Sequence, residues 1–264
     1  KHIFNQWIIN EFQKLHKDVQ LNYQNYYFHE VANQLYHFTW HSFCDWYIEL
    51  SKNLLDSDKY REETIFIFHL IFNSLLQLLH PVIPFITEKL WSFNNKNILM
   101  TNQWNYQDIQ IDNQSIEAAN NFIEFIEEYR SIEKLFDIKK EHDVSIYSSN
   151  ENLQKLFLEN QEVFEFLTRK KLSSKSLSKG VSLPFKNFDY EIETDQINKD
   201  KIIKKLSDNS ETLKKEKTGI DKNLDNQNFV DRAPKDLIEQ NKNRQNAISL
   251  ELSKIDSILS NLNG

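Results

Sequence analysis

His37 and His41 stand four residues apart, the spacing that places two imidazoles on one face of a helix, where a metal ion can bridge them. Cys44, the one cysteine, follows three residues later. A metal site needs a further ligand on the same face. None of the other histidines, at 2, 16, 29, 69, 80 and 142, stands at ligand spacing, and no H-E-x-x-H pair occurs. Three glycines in 264 residues leave no G-x-G-x-x-G and no G-x-x-x-x-G-K-[ST] phosphate loop. The expectation is a chain with no catalytic residue, no cofactor-binding residue and no metal ligand. Cys44 lies in an aromatic run, where a thiol reads as a small hydrophobe. A single cysteine excludes an internal disulfide and fits a reducing compartment.

The aromatic run is what must position anything else. Tyr36 to Lys52 is the densest such stretch, inside one long helical pattern over about 25–53. At 3.6 residues per turn, Phe28, Ala32, Leu35, Phe43, Trp46 and Leu50 fall near one side, flanked by Val31, Tyr36, Thr39 and Tyr47. Burying each large side chain contributes roughly 1.5–3 kcal/mol, so this is read as an inner helix of a bundle. Around it, residues 3–21 and 59–80 are read as helices. Pro81 ends the latter and Pro84 starts a short helix through about 93. No apolar run is read as reaching the ~18 residues of a membrane span.

Further along, 94–114 read as a connector and 115–136 as a helix capped by Ser115 or Asn113. Strands are expected at Val144–Tyr147 and Phe188–Ile192, with a helix over 151–167 between them. Over the last stretch Leu237, Asn241, Arg244, Ile248, Leu252, Ile255, Leu259 and Leu262 step by threes and fours, as a coiled-coil seam does. Ile202, Leu206, Leu213, Ile220 and Leu224 make a weaker partner seam. Pro234 starts the second arm, so the pair reads as an antiparallel hairpin that buries a narrow seam, projects and bends easily. The fold class expected is mainly α: a helical bundle over 1–110, a small mixed α/β connecting unit over 111–194 and a coiled-coil arm over 195–264.

The formal net charge is −7. Residues 199–264 hold 13 basic and 11 acidic side chains, making this the one net-positive part. Overall acidity is no argument for nucleic acid, but local patches act within a Debye length of about 8 Å.

Three stretches carry a resemblance. They are Tyr36-x-Phe38-x-Trp40-x-x-Phe43-Cys44-Asp45-Trp46-Tyr47-Ile48-Glu49-Leu50-Ser51-Lys52, then Leu78-Leu79-His80-Pro81-x-x-Pro84-Phe85-Ile86-Thr87-Glu88-x-Leu90-Trp91, then Leu224-x-Asn226-x-x-Phe229-Val230-x-Arg232-Ala233-Pro234. In that order they resemble the C-terminal part of the valyl-tRNA synthetases. The resemblance implies an anticodon-binding bundle and a coiled-coil arm that braces the tRNA. It also implies that this chain is a fragment whose catalytic and editing domains lie upstream. The complete protein would join valine to its tRNA with ATP and Mg²⁺, as a monomer in the cytoplasm, with no membrane partner. Lys171-Leu172-Ser173-Ser174-Lys175-Ser176 looks like that class's KMSKS loop, but it stands far downstream of where the loop belongs and is read as coincidence. The run Arg169, Lys170, Lys171, Lys175 and Lys179 is either a solvated loop or an RNA-phosphate contact.

The residues expected to meet tRNA are Lys52, Lys59 and Arg61 where the second helix turns into the third, and Arg130 on the helix after the connector. On the arm they are Lys214, Lys215, Lys217, Arg232, Lys242 and Arg244. Each also reads as an ordinary solvated charge, and Arg244, on the seam, as a register-setting residue. Two alternatives stay open: the same region of a leucyl- or isoleucyl-tRNA synthetase, and a non-enzymatic helical scaffold whose coiled coil binds protein.

Overall fold

A computed structural model describes residues 1–104, 106–136, 145–148, 150–172, 180–186, 188–193, 199–226 and 233–263. The chain is mainly helical, as expected. It divides into two compact units, 1–124 with 162–167, and 125–161 with 168–264.

In the first unit α1 (Ile3–Gln24) buries Phe4, Ile8, Phe12, Leu15 and Val19 along one face. The expected second helix is one continuous run in three parts: α2 (Phe28–His37), a π-helical segment (Phe38–Tyr47) and α3 (Ile48–Asp56). Its buried stripe is Val31, Leu35, Phe38, Phe43, Tyr47, Leu50 and Leu54. The steps are four and three except for one step of five, from Phe38 to Phe43. A π turn, with bonds from residue i to i+5, is what absorbs such a step, and the Ile48 N–H donates to the Phe43 carbonyl in that pattern. This corrects the expected face. Phe28 is 58% exposed, Ala32 is exposed and Trp46 is half-buried, while Val31 and Tyr47 are core.

The third helix of the unit, α4 (Arg61–Leu79), buries Ile67, Ile71, Leu75, Leu76 and Leu78. At 19 residues it is long and apolar enough to cross a membrane by length and composition, contrary to the expectation that no stretch reaches that length. Its buried residues face the bundle, while Ile65 and Phe66 are exposed. Phe43 of the π segment lies against Phe68 and Phe72 at centroid distances of 5.4 and 6.4 Å. Pro84 opens α5 (Pro84–Trp91), as its fixed φ favours. The connector is ordered by side chains. The Glu88 carboxylate accepts from the Leu99 N–H, and the Trp91 indole donates to the Asn97 carbonyl. Leu76, Trp91 and Leu99 close a small apolar cluster. The chain then runs back along α1, Gln13 accepting from the Ile109 N–H and Gln6 from the Asp112 N–H.

Asp112 starts α6 (Asn113–Leu135), accepting from the Ser115 hydroxyl and N–H. The cap is thus neither Asn113 nor Ser115, because a carboxylate one residue earlier reaches the open N–H groups. The Ser115 hydroxyl, then its N–H, holds the Asp112 carboxyl below its ordinary range.

The second unit packs a four-stranded sheet, in the order β2-β1-β4-β3, against the later part of α6. The strands are β1 (Ser145–Ser148), β2 (Lys171–Leu172), β3 (Gly180–Phe185) and β4 (Phe188–Glu193). β1 runs parallel to β2 and antiparallel to β4, and β3 pairs with β4 antiparallel. One of these strands, β2, holds Lys171 of the run read as a solvated loop or an RNA-phosphate contact. The helix expected over 151–167 is split into α7 (Glu151–Glu159) and α8 (Gln161–Thr168) at Asn160, whose amide donates to the Leu156 carbonyl. Phe125 meets Phe157, Phe185 and Tyr190 at 4.4, 5.3 and 5.0 Å. Lys170 is fully buried beside Glu133 at 3.7 Å, so it faces no RNA phosphate. The arm is α9 (Lys199–Asp225) and α10 (Lys235–Asn263), paired as expected. Its root is anchored rather than merely projecting: the Lys254 ammonium sits 2.8 Å from Glu128, and the Asn261 amide donates to the Ser182 carbonyl.

Candidate nucleic-acid interface

The three expected cations flank the turn between α3 and α4. Lys52, exposed, holds Glu49 at 2.6 Å across one helical turn. Lys59 sits over the Tyr60 ring at 4.7 Å, and Arg61, exposed, opens α4. The Tyr60 hydroxyl raises the Lys59 ammonium further above its ordinary value, so it stays charged. The turn is braced from beneath. The Tyr47 hydroxyl donates to Asn5, whose amide donates to Glu63 and Thr64 at 2.7 and 3.1 Å. Burial pushes the Glu63 carboxyl up, but the bonds from Asn5 and the His2 N–H outweigh it and hold Glu63 below its ordinary value.

Where α2 passes into the π segment, aromatic rings turn outward. Tyr36 and Trp40 are 59% and 53% exposed, with ring centroids 6.3 Å apart. His37 and His41 stack at 5.4 Å, and His41 faces Asp45 at 3.4 Å. Among the described residues no group of three His, Cys, Asp or Glu could hold a metal ion. Cys44 is half-buried, and burial, then Asp45, pushes its thiol above the ordinary value, away from a nucleophile's range.

The remaining candidates lie in the second unit. Arg130 is exposed on α6. Lys214 and Lys215 are exposed and Lys217 is half-buried on α9, with Lys215 holding Glu211 at 2.7 Å. Lys242 is exposed on α10. Arg244 is turned to Glu216 on the facing helix, in two hydrogen bonds of 2.7 and 2.9 Å. Arg232 lies outside the described residues.

An exposed aromatic pair on a rigid helix can stack on unpaired bases, and exposed ammonium groups can meet phosphates. The comparisons with known proteins point the same way. Residues 5–147 match the model of the anticodon-binding domain of tRNA ligases, and residues 198–263 match that of the valyl-tRNA synthetase tRNA-binding arm. The chain is 32% identical over 98% of its length to a valine–tRNA ligase of Pelagibacter ubique. It is 31% identical over 91% to that of Mycoplasma mycoides and 30% identical over 97% to that of Borrelia garinii. It spans 31%, 28% and 30% of those three proteins.

Proposed function

Because the chain belongs to the anticodon-binding family of the tRNA ligases and matches the valyl-tRNA synthetase arm over 198–263, we propose that it is the tRNA-holding part of a valine–tRNA ligase. Residues 1–110 read the anticodon, 111–194 connect, and 195–264 brace the tRNA from outside. Valine isoacceptors are the cognate tRNAs. The complete protein, a cytoplasmic monomer, ligates valine to them with ATP and Mg²⁺ through domains other than these. The carrying observation is the order of the two family matches along one chain, each over the part whose structure suits it.

Lys52, Lys59 and Arg61 on the bundle, and Lys214, Lys215, Lys217 and Lys242 on the arm, are the proposed phosphate contacts. Arg130 and Arg232 complete the proposed set. Arg244 is assigned to the arm's register first, since its guanidinium is already engaged.

The test is a gel shift of the purified chain with a panel of tRNAs at low salt. The expected result is tightest binding to a valine tRNA, weakening as salt rises. Preference for a leucine or isoleucine tRNA transfers the assignment to those relatives. No tRNA binding, together with self-association through the arm, supports a protein-binding scaffold instead.

A further inference from the structure

The coiled-coil arm is packed unevenly along its length. Near the root α10 buries Ile255, Ile258 and Leu262, and α9 buries Ile202 and Leu206. There α10 packs on β3 as well as on α9. Towards the tip the packing thins: among the described residues over 237–247 none is buried.

Polar ties add to this packing at the root. The Lys254 ammonium meets the Glu128 carboxylate of α6 at 2.8 Å. About two turns further along α10, the Asn261 amide donates to the Ser182 carbonyl of β3 at 2.8 Å. From α9, the Lys205 ammonium donates at 3.3 Å to the Lys134 and Leu135 carbonyls. Those carbonyls close the C-terminal end of α6, where a cation is favoured. Both helices of the arm are thus tied, so a rotation of α10 about its axis or a swing on one contact breaks at least one tie. The Lys254 pair also differs from an ordinary surface bridge. The Glu128 side chain is only 19% exposed. Burial, then the Glu128 charge, raises the phenol of Tyr190 in β4, so this carboxylate stands beside the interior. Removing its cation leaves a charge short of solvent, which costs more than losing an exposed bridge.

We propose that Lys254 is a positioning residue for tRNA binding. Its bond to Glu128, with the ties of Asn261 and Lys205, clamps the arm's root on α6 and β3. The clamp holds the arm at one angle to α6 and so fixes where the arm's outer cations meet the tRNA. The inference rests on the tRNA-binding reading above. Lys254 itself meets no phosphate, because its ammonium is engaged by Glu128. A clamped arm binds more tightly than a swinging one because its cations are already in place, and less freedom is lost on binding.

The test compares the intact chain with Lys254→Met, Lys254→Arg and Glu128→Gln, each checked for folding by circular dichroism. Spin labels are placed at Asn246→Cys on α10 and Lys155→Cys on α7, both exposed positions, with Cys44 replaced by Ser. Double electron–electron resonance then reads the spread of distances between arm and sheet unit. Lys254→Met and Glu128→Gln are expected to broaden it, and Lys254→Arg to keep it narrow. Equal spreads in the wild type and Lys254→Met overturn the clamp. With a valine tRNA, Lys254→Met is expected to bind roughly fivefold more weakly, at an unchanged slope of log K against log salt. Glu128→Gln is expected to weaken binding too, although removing a negative charge would by itself strengthen it. A slope lower by about 0.7–0.9 in Lys254→Met makes that side chain a phosphate contact and overturns the positioning role. Unchanged affinity with a broadened spread overturns it as well, since the clamp then serves the arm alone. A wild type that binds no tRNA, with spreads changing as expected, overturns the tRNA reading rather than the clamp.

Discussion

Arg244 of α10 closes two parallel hydrogen bonds on Glu216 of α9, at 2.7 and 2.9 Å, and so ties the two arms of the hairpin at one level. The fork of a guanidinium matches a carboxylate in a single orientation. One level away, the Gln245 amide donates to the Asp221 carboxylate. Between this point and the root, the seam is held by Leu206, Leu213, Ile248 and Ile255. An exposed pair contributes little stability on its own, but it discriminates between registers that apolar residues at steps of three and four tolerate alike. Arg244→Ala is therefore expected to speed amide exchange around 213–220 and 241–248, leaving the root near Lys254 protected. The double exchange Arg244→Glu with Glu216→Arg restores slow exchange. If the single variant exchanges like the wild type, the pair has no part in register.

The same bond separates the arm's cations by role. Arg244 is engaged, whereas the side chains of Lys214, Lys217 and Lys242 are left to meet an outside anion. Each phosphate that a protein ceases to neutralise lowers the slope of log K against log salt by about 0.7–0.9. Replacing Lys214, Lys217 and Lys242 together by Ala should flatten the tRNA salt dependence by about two units. Arg244→Ala should leave the slope unchanged. Binding isotherms between low and physiological salt read both results. A large slope change from Arg244→Ala alone would place that side chain on RNA.

Beneath the α3–α4 turn, the Tyr47 hydroxyl is the donor that satisfies Asn5 in a fully buried site. Burial, with Glu63 close by, pushes the phenol far above its ordinary value, so it remains a donor. Tyr47→Phe keeps the ring and strands the Asn5 carbonyl oxygen, which costs about 1–3 kcal/mol. Urea unfolding should show that loss as a lower midpoint at an unchanged slope. A variant as stable as the wild type would mean that the network contributes nothing.

How far the sequence reaches is clearest at the π segment. Leu35, Phe43 and Leu50 are legible as core because their spacing agrees with a helical face. The single step of five from Phe38 to Phe43 is not, since a 3.6-residue period assigns Trp46 and Phe28 to the face and Tyr47 only to its flank. Nothing local announces a π turn, whose added residue shows only in which side chains end up buried. The hairpin is legible because Ile248, Ile255 and Leu262 repeat at seven. The short strands β2 and β3 are not, lying among residues without alternation. The cations at 52, 59 and 61 stand out by charge and position. The pocket of about 570 Å³ lined by His80, Phe85 and Met100 among others escapes a sequence reading because Pro81 and Pro84 read as no more than a mechanical jog.

His2 ties the bundle's stability to pH. It precedes α1 and its Nδ1 accepts, at 3.4 Å, from the Phe4 N–H, a bond that only an unprotonated Nδ1 can make. Burial lowers its pKa to about 4, against the opposing pull of Glu63. A histidine whose folded value lies below its unfolded one, near 6.5, stabilises fully above the unfolded value. That contribution is lost as pH falls from about 6.5 towards 4, because the unfolded chain takes up the proton first. Glu63, also lowered, loses its own contribution towards the acid end of this window and below it. The melting temperature is expected to fall from pH 7 to pH 4. His2→Asn, which keeps a capping acceptor but does not titrate, should fall less between pH 6.5 and 5, where Glu63 is still ionised. Parallel melting curves for the two proteins across that interval would remove His2 from the account.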